Sequence, residues 1–120
     1  MKVVNKEIQE LSIQSLKSTF NKLSHAYQSM LEKGANTTLV KKRRDAVKIG
    51  LESLKGDWHG EDFSSNKQDI KKSKEVLESL IPSLEKQIAK AKEGSPQKTL
   101  NERRLTALQL AIESLQNRLK

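Results

Sequence analysis

Apolar positions along this chain recur at steps of three and four. Ile13, Leu16, Phe20, Leu23, Tyr27 and Met30 form one stripe, and Val40, Val47, Leu51 and Leu54 a second. Leu77, Ile81, Leu84, Ile88 and Ala91 form a third, and Leu105, Leu108, Ile112, Leu115 and Leu119 a fourth. An α-helix turns once in 3.6 residues, so each stripe lies along one helical face. The spacing predicts helices over about 4–33, 39–55, 65–93 and 100–119.

The predicted boundaries have local causes. Thr38 reads as the N-cap of the second helix. Ser65 with Gln68, and Thr99 with Glu102, have the capping-box spacing that satisfies free amides at a helix start. Gly34 and Gly94 suit the position just past a helix end. Pro82 falls inside the third stripe, where a missing donor and a steric clash predict a kink or a break. The main interruption is GDWHGEDFSS, Gly56 to Ser65, whose Gly, Asp and Ser content reads as a loop.

Two stretches say nearly the same thing. TLVKKRRDAVKIGLESL (Thr38 to Leu54) aligns without a gap to TLNERRLTALQLAIESL (Thr99 to Leu115) at an offset of 61, with seven of 17 positions identical. The identities are Thr38/Thr99, Leu39/Leu100, Arg43/Arg104, Ala46/Ala107, Glu52/Glu113, Ser53/Ser114 and Leu54/Leu115. Internal repetition decides architecture, so it is weighed before individual motifs. The repeated unit reads as a long helix, a loop and a shorter helix, over about 4–55 and again over about 65–119, joined by a loop at 56–64. Neither hairpin can bury its stripes alone. The expected fold is therefore all-α: a four-helix bundle of two similar hairpins, forming a single domain over 1–120.

Composition agrees with helices and narrows the chemistry. Leu, Lys, Glu, Ser and Gln dominate, and most of these are good helix formers. There is no cysteine, which excludes disulfides and thiolate metal sites. No run approaches the ~18 apolar residues of a membrane span, and the N-terminus lacks a secretory signal, so no membrane span and a cytoplasmic location are expected. The formal net charge is +8, which favours anionic partners.

The charge is concentrated at Lys41, Lys42, Arg43 and Arg44, with Lys48 nearby and an echo at Arg103 and Arg104. On the predicted boundaries these lie in the first turns of helices, where positive charge opposes the macrodipole by roughly 0.3–1 kcal/mol. Helix physics does not account for them. Guanidinium groups beside free amides suit phosphate or carboxylate. The plainer reading is a solvated basic face partly paired to Asp45 and Glu102. An acidic protein surface is the first expected partner and a nucleic-acid backbone the second. Aromatic residues for base stacking are few: Phe20, Tyr27, Trp58 and Phe63.

The segment DWHGED holds the sole tryptophan. Trp58, His59 and Phe63 read either as a plug at the bundle end or as a partner-binding loop. Asp57, His59 and Glu61 are the one conceivable metal or acid–base group, but no nucleophile, phosphate-loop or metalloprotease motif accompanies them. No metal, no cofactor and no catalysis are expected. His25 lies off its helix's stripe and reads as a surface residue.

Trp58-His59-Gly60, with Leu54 before and Phe63 after, resembles the turn of the small secreted helical-hairpin proteins named for their Trp-x-Gly motif, and of their relatives that partner larger secreted toxins. The resemblance covers about ten residues and implies a secreted helical partner protein. Those families place the aromatic further downstream, and no Tyr-x-x-x-Asp/Glu pattern ends this chain. From the residues themselves, the expectation is a small non-enzymatic adaptor, regulator or inhibitor. It binds another macromolecule through a basic face and a helical surface, with homodimerisation through the longer helices as an alternative use of that surface.

Overall fold

The computed structural model describes residues 4–120. Four helices follow one another: α1 (Lys6–Glu32), α2 (Thr38–His59), α3 (Lys67–Lys90) and α4 (Pro96–Arg118). No strand occurs among the described residues. The chain is an all-α four-helix bundle.

Short polar side chains start three of the helices. Asn5 Oδ1 accepts from the Ile8 amide at 2.9 Å, Asn66 Oδ1 from Asp69 at 2.8 Å, and Ser95 Oγ from Lys98 at 3.2 Å. Each bond satisfies an amide that has no partner within its own helix. At α2 the N-cap Thr37 makes no side-chain bond, and Asn36 Oδ1 instead accepts from the Thr38 amide at 2.9 Å.

Several boundaries differ from the sequence reading. Thr38, expected as a cap, is the first residue of α2. Asn66 rather than Ser65 caps α3. Ser95 rather than Thr99 caps α4, with Pro96 in its favoured place at the first helical position. α2 continues through Gly56 and Asp57 to His59, and Gly60 ends it with φ 68°, a left-handed conformation that glycine adopts without strain. The loop is therefore 60–66 rather than 56–64. α3 runs as one helix through Pro82, so of the expected kink or break the break does not occur. Pro82 is exposed, as is Glu78, whose carbonyl loses its usual donor and faces water instead.

α1 packs on α2 and α3 on α4, giving two hairpins. Between the hairpins α1 meets α4, α2 meets α3 and α2 meets α4, while α1 and α3 have no backbone approach. α2 and α4 are thus the central pair. The molecule measures 38 × 37 × 21 Å.

The central pair runs in one direction and in register. A Cβ placed on Gly50 would lie 3.1 Å from Ala111 Cβ, Ser53 bonds Ser114, and Asp57 pairs with Arg118. Each contact joins residues 61 apart. The same spacing links the flanking helices: Asn5 and Asn66 are both N-caps, and Ser12 with Ser73, and Leu16 with Leu77, are both buried. One apolar cluster fills the interior, with Leu16, Val47, Leu54, Leu77, Leu108 and Leu115 at its centre. Burying each large aliphatic side chain contributes about 1.5–3 kcal/mol.

Candidate anion-binding site

Polar groups gather at both ends of the α2–α4 contact, and the two ends are built differently. Toward the C-termini, Arg118 Nε donates to Ser53 Oγ at 2.6 Å, and its Nη2 donates to the Ser53 carbonyl at 3.0 Å and to Asp57 Oδ1 at 3.1 Å. Ser114 Oγ donates to Asp57 Oδ2. With the Ser114 proton so directed, the Ser53 hydroxyl is the donor in the 2.5 Å bond between the two serines. The Phe63 ring lies 4.1 Å from the Arg118 guanidinium carbon, within cation–π range. Every charge here has a partner in the chain.

Toward the N-termini the corresponding positions are Arg43 and Arg104. Both line one open pocket of about 240 Å³, to which all four helices contribute. The Nε atoms of both arginines are buried, and neither has a hydrogen-bond partner among the described residues. Leaving such a donor unsatisfied costs about 1–3 kcal/mol. No carboxylate lines the pocket.

The rest of the expected basic cluster separates. Arg44 turns away, bonding Asp45 Oδ1 at 3.2 Å and lying 4.4 Å above the Tyr27 ring. Lys42 and Lys48 share a second pocket with Asp45, Glu52, Asp69 and Lys72, so acids and bases line it together. Arg103 lies beside Ile8, Leu11 and Glu102. Lys41 is exposed on α2. In α2 the macrodipole argument holds only for Lys41, at the end of the first turn, and lapses for Arg43 in the second. It lapses for Arg104, because α4 starts at Pro96 and the effect fades beyond the first turn.

Trp58 is part of the last turn of α2 and packs, like Phe63, against the core. It does not occupy a turn between helices as the Trp-x-Gly resemblance implies. Asp57 is committed to Ser114 and Arg118, which leaves His59 and Glu61 as a solvent-facing pair at 3.5 Å. Among the described residues no group of three His, Cys, Asp or Glu is placed to hold a metal ion. His25 is exposed. Among the described residues no helix is long and apolar enough to cross a membrane.

The convergence of Arg43 and Arg104 is what the sequence reading missed. Their shared spacing of 61 was visible, but the register that brings both to one pocket is a property of the packed pair. Comparison with known proteins adds no outside guide: no family model, curated protein or solved structure matches the chain.

Proposed function

We propose that this chain is a non-enzymatic binding protein of the cytoplasm, and that it engages an acidic protein surface through the N-terminal parts of α2 and α4. The observation that carries this reading is a pair of exposed leucines. Leu39 is 58% exposed and Leu100 52%, and they occupy the same place in the two repeated phrases. Packing requires neither. They lie in the N-terminal parts of the two central helices, with Lys41 and Lys42 close to one and Arg103 close to the other. Lys41, Lys42 and Arg103 make no ion pair among the described residues. Apolar anchors within a basic rim suit a partner with an acidic border and apolar pockets.

The committed roles of Asp57 and Arg118 support the absence of catalysis. The placement of the aromatics argues against single-stranded nucleic acid, since Phe20, Tyr27, Trp58 and Phe63 are all partly buried and Arg44 and Arg118 lie over the Tyr27 and Phe63 rings.

The test is capture from native lysate, with and without nuclease, by the wild type and by a variant carrying Leu39→Asp, Leu100→Asp, Lys41→Glu and Lys42→Glu. A protein retained by the wild type under nuclease and lost by the folded variant supports the reading. Equal retention by both refutes it. Capture that disappears with nuclease, together with gel retardation that weakens steeply with salt, favours a phosphate-backbone ligand instead.

A further inference from the structure

We infer that the pocket between Arg43 and Arg104 is a binding site for a phosphate group, either free or carried by a small phosphorylated molecule. The site adjoins the exposed leucines, since Arg104 also borders a second pocket with Leu100, but the inference does not depend on the function proposed for that face.

The first ground is charge. Arg43 and Arg104 both line one pocket with no carboxylate in its wall, and neither guanidinium has a hydrogen-bond or ion-pair partner among the described residues. At the other end of the same helix pair, the chain sets Asp57 against Arg118 at the corresponding register. An internal acid is thus supplied at one end and withheld at the other. The missing negative charge at the Arg43–Arg104 end comes from outside.

The second ground is the chemistry of the remaining polar wall. The side chains of Ser83 and Gln87 make no hydrogen bond among the described residues, so both have donors to offer an anion. Thr19 and Ser79 differ. Their hydroxyl protons go to the carbonyls of Ser15 and Val76, so toward the pocket they can only accept. Donors and acceptors together fit monohydrogen phosphate, which has oxygens for the arginines and one hydroxyl to give away. Sulfate at neutral pH has no proton to give. Leu84 and Leu108 form an apolar part of the same wall, which lowers the local dielectric and strengthens each charged contact.

The third ground is shape. A guanidinium presents paired N–H groups that match two phosphate oxygens at once. Arg43 and Arg104 approach from different helices, so a tetrahedral anion can meet both.

The experiment titrates the full chain with inorganic phosphate, followed by calorimetry and by phosphorus NMR, at fixed ionic strength and neutral pH. Saturable one-to-one binding is expected, with sulfate weaker by about tenfold, the worth of one lost hydrogen bond to a charged group. Arg43→Gln and Arg104→Gln should each weaken binding tenfold or more. Should a Gln variant fail to fold, Arg43→Lys and Arg104→Lys keep the charge, remove the paired geometry, and are expected to weaken binding in the same direction. The thermal midpoint of the wild type should rise with phosphate and that of the Gln variants should not. A small phosphate ester that binds more tightly than inorganic phosphate assigns the site to a phosphorylated molecule; equal or weaker binding assigns it to free phosphate. No saturable binding to the wild type, or binding unchanged in both arginine variants, overturns the inference.

Discussion

Ser53 and Ser114 are fully buried and joined by a 2.5 Å hydrogen bond across the α2–α4 contact. The bond belongs to a closed set: Ser53 gives to Ser114, Ser114 gives to Asp57, and Arg118 gives to both Ser53 and Asp57. A buried polar group that loses its partner costs more than the bond itself contributed. Ser114→Ala removes one acceptor and one donor at once. It is expected to lower stability by about 1–3 kcal/mol in urea denaturation. The double variant Ser53→Ala/Ser114→Ala should lose less than the sum of the two single losses, because the residues share partners.

Gly50 holds α2 close to α4 and α3. A Cβ there would stand 3.1 Å from Ala111 Cβ and 3.1 Å from Leu77 Cδ1. Alanine improves helix propensity by about 1 kcal/mol. Ala111 Cβ, however, has no rotamer through which to move aside. Gly50→Ala is expected to be neutral or mildly destabilising, and Gly50→Val to cost about 1–3 kcal/mol from overpacking. Moving the methyl across the interface, as Gly50→Ala/Ala111→Gly, should recover part of any loss. The coupling energy from a thermal-melt cycle measures it.

Pro82 interrupts the hydrogen-bond ladder of α3 without ending the helix. It is exposed. Pro82→Ala restores the donor and removes the ring clash. A gain of about 1–3 kcal/mol is expected, below the full helix-interior penalty because water already serves the free carbonyl. A fall in melting temperature would show that the proline has a packing role.

Glu93 and Lys98 clasp the connection between α3 and α4 at 2.6 Å. The hydrogen bond from Lys98, and then its charge, hold the Glu93 carboxyl below its ordinary value of 4.5. The same hydrogen bond raises the Lys98 ammonium above 10.5. The Glu93 contribution is therefore present above the unfolded carboxyl pKa and lost as pH falls through the lower folded value. The Lys98 contribution is present below its unfolded pKa and lost as pH rises through the higher folded one. Glu93→Gln should melt slightly below wild type at pH 7 and converge with it in acid. High salt should shrink the difference, since Glu93 is exposed. Melting curves across pH at two salt concentrations test this.

The fold was largely legible because its helices carry their stripes in the sequence. Leu16, Leu77, Leu108 and Leu115 were all assigned to core faces, and all are buried. The end of α2 was misread for a specific reason. Gly56 looked like a helix stop, but a Cβ there would come within 2.7 Å of Arg118 Nη2. The glycine makes room for an arginine 62 positions away, and nothing local announces that. The start of α4 was readable from Ser95-Pro96 and was obscured by the competing Thr99–Glu102 pattern. The candidate site was half legible. Arg43 and Arg104 stood out as arginines that packing did not require, but their burial and shared pocket follow from the α2–α4 register. The exposure of Leu39 and Leu100 follows from the placing of the whole helix pair, which apolar periodicity does not encode.

Asp57 and Arg118 hold corresponding positions in the two hairpins yet carry opposite charges. A hairpin meeting an identical copy of itself would set carboxylate against carboxylate in one case and guanidinium against guanidinium in the other. Only the unlike halves close the contact with both charges answered. The Asp57–Arg118 pair therefore acts as a key of identity: it makes the first hairpin recognise the second in preference to itself. That bias disfavours dimers built from two first hairpins or from two second hairpins.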